Sequence, residues 1–215
     1  MLAINALEFG FDSPLVSGLS FTVNPGEISL LHGPSGGGKS TLLSLICGTQ
    51  SHLVRWGGKI HLNGVDIGSM PPHQRSVGLM YQDPLLFPHL SVGDNIGFGL
   101  VSSVKGVARK TSIDDALIAA GMDGFAGRDP ASLSGGQAAR AALMRALLAA
   151  PKVLLLDEAF SSLDPDLRQT FGQFVAAQIK ARHIPALLVS HDVGDAKFAT
   201  GPVLYIGPNQ ASEKK

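Results

Sequence analysis

The sequence predicts an α/β fold: a core built on a mainly parallel sheet, an N-terminal antiparallel β region, and an inserted α-helical subdomain. Three observations predict it. Short apolar runs that end in loops alternate with segments of helical length, as parallel strands do with their crossover helices. The first two dozen residues instead alternate apolar and polar positions around a turn, as antiparallel strands do. From Asp83 to Ala150 the texture turns helical and interrupts the strand pattern. The expected division is a core from 1–82 and 151–207, a helical insert over 83–150, and a polar tail over 208–215.

Each element has its own signal. Residues 2–9 and 18–23 alternate like strands, with a turn expected over 11–17. The run 27–33 is short, apolar and closes on glycine, and 41–48 has helical spacing. Residues 58–64 and 76–82 look like strands between turn residues. Within the insert, 91–100, 111–121 and 135–150 read as helices. Ser91 and Ser112, each followed three residues later by an aspartate, are expected helix starts. Residues 152–158 form a buried strand. Over 164–182, Phe171, Phe174, Val175 and Ile179 share one face of an amphipathic helix. Residues 185–192 and 202–207 are further strands.

Composition narrows the function classes. With 215 residues and 45% hydrophobic content, the chain can bury a full core. Seventeen Lys and Arg balance seventeen Asp and Glu, so the basic face that displaces counterions from nucleic acid is not expected. One cysteine, Cys47, can close no internal disulfide, which points to a reducing compartment. The N-terminus lacks the basic start and apolar stretch of a secretory signal, and no run is long enough to span a membrane.

Gly33, Pro34, Ser35, Gly36, Gly37, Gly38, Lys39 and Ser40 fit the phosphate-loop pattern, between a strand and a helix as that pattern requires. Glycines let successive N–H groups turn inward as an anion nest, and the helix N-terminus adds partial positive charge. Lys39 would reach the outer phosphates, and the Ser40 hydroxyl would ligate Mg2+. Asp157 and Glu158 end a buried strand at the sheet edge where α/β proteins bind ligands. Asp157 would hold Mg2+, directly or through water, and Glu158 would polarise an attacking water. A second acid beside the metal acid favours hydrolysis over transfer to an acceptor.

Ser134, Gly135, Gly136 and Gln137, after Leu133, read locally as a capping box that starts a helix. Paired glycines exceed what a cap needs, and they bare a second phosphate-seeking helix end. Because that end belongs to the insert, two chains arranged head to tail would let each one cover the other's nucleotide.

With these motifs in this order, nearly the whole chain, from about Leu2 to Gly207, resembles the nucleotide-binding subunit of an ATP-binding cassette (ABC) transporter. The resemblance implies ATP and Mg2+ as ligands, with Thr41 completing the phosphate loop. It gives Gln82 a contact with Mg2+ and water, and coupling to membrane subunits. It places Asp164 in the loop that opens at Ser161, makes His191 the switch histidine at the γ-phosphate, and assigns an N-terminal aromatic to adenine. Phe11 is the choice, with Phe9 the alternative, and one of the two should face the core. Two departures stand out. Ala159 replaces the proline usual after the glutamate, which would loosen the backbone near Glu158, and Ala138 replaces the polar residue after the signature.

The stretch from Tyr81 to Ile96 looks most like bacterial importers of oxyanions, iron, polyamines or thiamine. The resemblance implies separate transmembrane permease subunits, a second copy of the chain, an extracytoplasmic solute-binding protein, and residence on the cytoplasmic face of the inner membrane. Such importers often carry a C-terminal regulatory domain, which the short stretch after Glu158 leads one not to expect here, and the charge balance leads one to expect no nucleic-acid partner. The alternatives are a soluble ABC ATPase in nucleic-acid repair or translation, whose long coiled coils or paired cassettes are not seen here, and a small-molecule kinase.

Overall fold

The structure, a computed structural model, describes residues 1–207 and the backbone of 210–214. In chain order the elements are β1 (Leu2–Gly10), β2 (Pro14–Val23), β3 (Ile28–His32), α1 (Lys39–Cys47), β4 (Arg55–Leu62) and β5 (Val65–Asp66). There follow β6 (Val77–Met80), α2 (Val92–Gly97), α3 (Gly106–Ala119), α4 (Gly135–Leu148), β7 (Val153–Asp157) and α5 (Pro165–Arg182). The chain closes with β8 (Ala186–Ser190), β9 (Val203–Gly207) and β10 (Gln210–Lys214).

Two sheets result. β2-β1-β4-β5 is antiparallel throughout. The order β10-β9-β3-β8-β7-β6 is parallel except for β10, which runs antiparallel to β9. The parallel strands are apolar on both faces because both are covered. Val153 and Leu155 of β7 pack with α1 and the antiparallel sheet. Leu154 and Leu156 turn to the other side, where Phe171, Val175 and Ile179 of α5 meet Leu143 and Leu147 of α4. Helix α1 therefore lies in a core shared by the two sheets, and α2, α3 and α4 lie on the α5 side.

Three expectations need correction. The turn between β1 and β2 is only 11–13, because Pro14 opens β2 on the edge of its sheet, where its missing N–H costs nothing. Ser91 does cap α2, its Oγ accepting from Asp94 N. Ser112, however, lies inside α3, where its hydroxyl donates to Ala108 O. Good helix formers upstream, Ala108, Arg109 and Lys110, extend the helix past the supposed cap. Finally, much of the segment read as a polar tail is strand β10; residues 208, 209 and 215 lie outside the described residues.

Arg75, only 4% exposed, locks the C-terminal end of α1. Its Nη1 donates to Leu45 O and Ile46 O, its Nη2 to Gly68 O, and its Nε to Met70 O. Two of these acceptors are carbonyls at the end of α1, and the other two belong to the segment before β6, so Arg75 ties the two together. Arg75→Met is expected to lower unfolding stability by at least about 2 kcal/mol, since each carbonyl stripped of its donor costs roughly 1–3 kcal/mol. Urea denaturation checks this, and a loss below about 1 kcal/mol would contradict the role given to Arg75.

Candidate functional site

The candidate side chains gather where the parallel strands end. His32 pairs with Ser190 and Asp157 pairs with Val189, so β3, β7 and β8 stop within one residue of a common row. The loops that leave this row carry residues 33–38, Glu158 and His191.

In the phosphate loop the chain turns tightly beneath β9. A Cβ on Gly33 would lie 1.9 Å from Ile206 O, so no larger residue fits. Pro34, Ser35, Gly36 and Ser40 are exposed, Gly37, Gly38 and Lys39 are buried, and Thr41 is half-buried. Gly38, at φ 97°, caps α1 without any side-chain bond, leaving the first N–H groups of the helix open. The Lys39 ammonium donates to Gly33 O at 2.7 Å and Pro34 O at 2.8 Å.

Ser40, Gln82, Asp157 and Glu158 line one open cleft of about 340 Å3, together with Tyr81, Asp83 and Leu85. Burial, and next the charge of Glu158, push the Asp157 carboxyl above its ordinary pKa, while Lys39 opposes both. A carboxyl so placed gains most from a nearby cation. His191 Nδ1 stands 3.2 Å from Glu158 Oε2, with the His191 side chain 56% exposed and that of Glu158 30%.

The looseness expected next to Ala159 is not found. Glu158 adopts the left-handed φ of 50°. It is pinned there by Glu158 N donating to Val189 O, and by Ser161 N and Oγ both donating to Glu158 O at 3.0 and 2.7 Å. Ala159 itself is buried. These three hydrogen bonds hold a conformation that non-glycine residues seldom adopt.

The signature residues lie elsewhere. Ser134 caps α4 in a complete capping box: its Oγ accepts from Gln137 N, and Gln137 Oε1 accepts from Ser134 N. Gly135 is exposed as the first helical residue. Gly136 is buried, and a Cβ there would lie 3.1 Å from Leu167 Cδ2, so the helix start packs closely on α5. Ser134, Gly136 and Gln137 line a second cleft of about 220 Å3 with Arg140, Leu167, Thr170 and Phe171, sharing no residue with the first. Asp164 caps α5, its Oδ1 accepting from Leu167 N.

Of the two N-terminal aromatics, Phe9 is buried beneath Gly38, and Phe11 is 50% exposed in a cleft with Arg55 and Trp56. The fold thus resolves the alternation with Phe9 inward.

The donors present suit Mg2+. A hydroxyl, an amide and a carboxylate supply the hard oxygens that this ion takes along with water and phosphate. Among the described residues no cluster of three or more His, Cys, Asp or Glu forms a preformed cage.

Sequence reasoning missed the supports of the site. Arg145 of α4 donates to Pro84 O and Leu85 O, tying the signature helix to the loop after Gln82. Arg168 of α5 grips Asp192 and Asp195 just beyond His191. No local pattern reports either contact, because each joins segments far apart in the chain.

Comparisons with known proteins identify the family. The family model described as ABC transporter matches residues 16–161. The uncharacterized ABC transporter ATP-binding protein YnjD of Escherichia coli is 47% identical over 184 residues, covering 86% of this chain and 85% of YnjD. The thiamine import ATP-binding protein ThiQ of Aliivibrio fischeri is 39% identical, covering 96% of this chain and 87% of ThiQ. The Fe(3+) ions import ATP-binding protein FbpC 3 of Rhodococcus jostii is also 39% identical, over 99% of this chain and 61% of its own length. In fold, the chain is similar to the solved dimeric post-hydrolysis state of the ATP-binding cassette MJ0796 bound to ADP and Pi, with a TM-score of 0.78 at 21% identity over 100% of this chain and 99% of that one. Matched over most of its length by the family model and by these relatives, the chain belongs to the ABC transporter family.

Proposed function

We propose that the protein binds and hydrolyses ATP and powers a bacterial importer through separate membrane-spanning subunits. The observation that carries this reading is the convergence of Ser40, Gln82, Asp157 and Glu158 on one cleft, with His191 at 3.2 Å from Glu158. The thiamine and iron import relatives support an importer and disfavour the repair and translation alternative. These relatives are equally similar to the chain, so solute choice belongs to the partner subunits rather than to the residues of the cassette. Among the described residues no helix is long and apolar enough to cross a membrane. The chain would then sit on the cytoplasmic face of the inner membrane against its permease, with an extracytoplasmic solute-binding protein in the same system.

In this reading the open N–H groups at the start of α1 and the Lys39 ammonium hold the β- and γ-phosphates, and Phe11 offers its exposed ring to adenine. Ser40, Gln82 and Asp157 would hold Mg2+, which supplies charge neutralisation on the phosphates. Water adds to the γ-phosphorus and the bond to ADP breaks. Glu158 takes the proton of that water, and His191 stands beside it to meet the γ-phosphate. The second cleft carries the signature residues, so Ser134, Gly135, Gly136 and Gln137, with Asp164, would complete the site of a second copy in a head-to-tail dimer.

Three outcomes are expected. With Ser35→Cys and Ser134→Cys in separate chains, disulfide crosslinks should form between chains and depend on ATP. The native thiol does not compete, because Cys47 is buried and its pKa is pushed up to about 11. Crosslinks that ignore ATP, or none in its presence, would sink the dimer. Lys39→Ala should abolish hydrolysis and weaken ATP binding by about 1.5–3 kcal/mol, the loss of a charge-assisted contact; calorimetry showing unchanged affinity would remove the loop from the site. Glu158→Gln should slow hydrolysis about 10²–10⁴-fold, leave ATP binding nearly intact, and run as a dimer on size exclusion in ATP and Mg2+. Retention of more than about a tenth of the wild-type rate would move the base elsewhere.

A further inference from the structure

Arg168 sits one turn into α5 and is joined to the loop before it: Arg168 N donates to Asp164 O at 2.8 Å. Its guanidinium is spread over two acids. Nε and Nη2 donate to Oδ1 and Oδ2 of Asp195 at 2.8 and 2.7 Å, a two-point grip on a carboxylate that is almost fully buried. Nη1 reaches Asp192 Oδ2 at 2.8 Å. Asp192 is the residue after His191. Its N–H donates to Ser190 Oγ, and its Oδ1 accepts from Gly194 N at 2.7 Å. The backbone on both sides of His191 is therefore tethered, at Ser190 by β8 and at Asp192 by Arg168. The imidazole itself is more than half exposed, so packing does little to set its aim.

The contacts close a ring. Glu158 O is bonded to Ser161, the 161–164 loop leads through the Asp164 cap into α5, Arg168 holds Asp192, and His191 returns to Glu158. Magnitudes separate the two arms of Arg168. The arm to Asp195 is buried, and breaking it would strand a charge at a cost to the fold. The arm to Asp192 ends on a carboxylate that is 44% exposed, and such pairs add little to stability, so its effect lies in what it positions.

We propose that Arg168 is a positioning residue for ATP turnover: by holding Asp192 from α5 it fixes the backbone after His191 and so sets the approach of that ring to Glu158. The proposal rests on the reading above, in which His191 and Glu158 serve hydrolysis. It adds a lever, because any displacement of the 161–164 loop reaches His191 through Arg168 without passing through the phosphate loop. The other charges acting on the Arg168–Asp192 pair are Asp195, on the arginine, and His191, on the aspartate.

Steady-state ATP hydrolysis by the full-length protein tests it, with four variants compared at saturating Mg2+. Asp192→Asn keeps the acceptor for Gly194 N and removes the charge that Arg168 holds. It should lower kcat about tenfold, an effect of sub-ångström misplacement, while the KM for ATP stays within about twofold and the Tm falls by no more than about 2 °C. Arg168→Lys should keep more activity than Arg168→Met, since one arm can be rebuilt by an ammonium but the fork cannot. If Arg168→Met does not fold, Asp192→Asn still decides the matter. A wild-type kcat for Asp192→Asn beside an impaired His191→Ala would overturn the proposal and leave the functional reading standing. A fall in Tm that accounts for the lost rate would assign the contact to the fold and overturn it equally. Full activity of His191→Ala would overturn the reading of the site itself, and the proposal with it.

Discussion

Register in the parallel sheet governs the site. The pairing of His32 with Ser190 and of Asp157 with Val189 brings three strand ends level, so the phosphate loop, Glu158 and His191 all leave from one row. That register is held firmly because both faces of the sheet are buried. A slip by one residue would exchange Val153 and Leu155 for Leu154 and Leu156 between two cores of different shape. The candidate groups owe the common level at which they leave the sheet to apolar residues deep within it.

Arginine supplies much of the remaining stiffness. Arg75, Arg145 and Arg168 each direct two or more N–H groups at carbonyls or carboxylates of distant segments. A planar fork can bind several acceptors at once, which an ammonium on a flexible stem does poorly. In a chain with one cysteine these forks take the place of covalent cross-links. Each spans a boundary: α1 to the segment before β6, α4 to the loop after Gln82, and α5 to the loop after His191.

What could be read in the sequence was what is local. The phosphate loop, the acidic strand end and the capping box at Ser134 are contiguous, and each forms where its motif predicts. The α/β class and the helical insert followed from periodicity. The start of α3 was misplaced because a serine followed by an aspartate suits a cap equally well when it lies in mid-helix, and only the residues upstream decide. The end of the β1–β2 turn depended on Pro14 falling at an edge, a fact of sheet order. The arginine clamps, the packing of Gly136 on Leu167, and the hydrogen bonds around Glu158 all join residues whose proximity exists only after folding.

The left-handed backbone at Glu158 has a consequence for how this protein can be altered. Glycine takes that conformation freely, and asparagine more readily than glutamate does. The residue that the proposed chemistry requires is thus one that the backbone resists, and the three hydrogen bonds around it offset the conflict. With Glu158 as the proposed base, a library selected only for resistance to heat would be drawn to replace position 158 and would lose turnover. Thermal endurance and the proposed turnover pull against each other at this one residue.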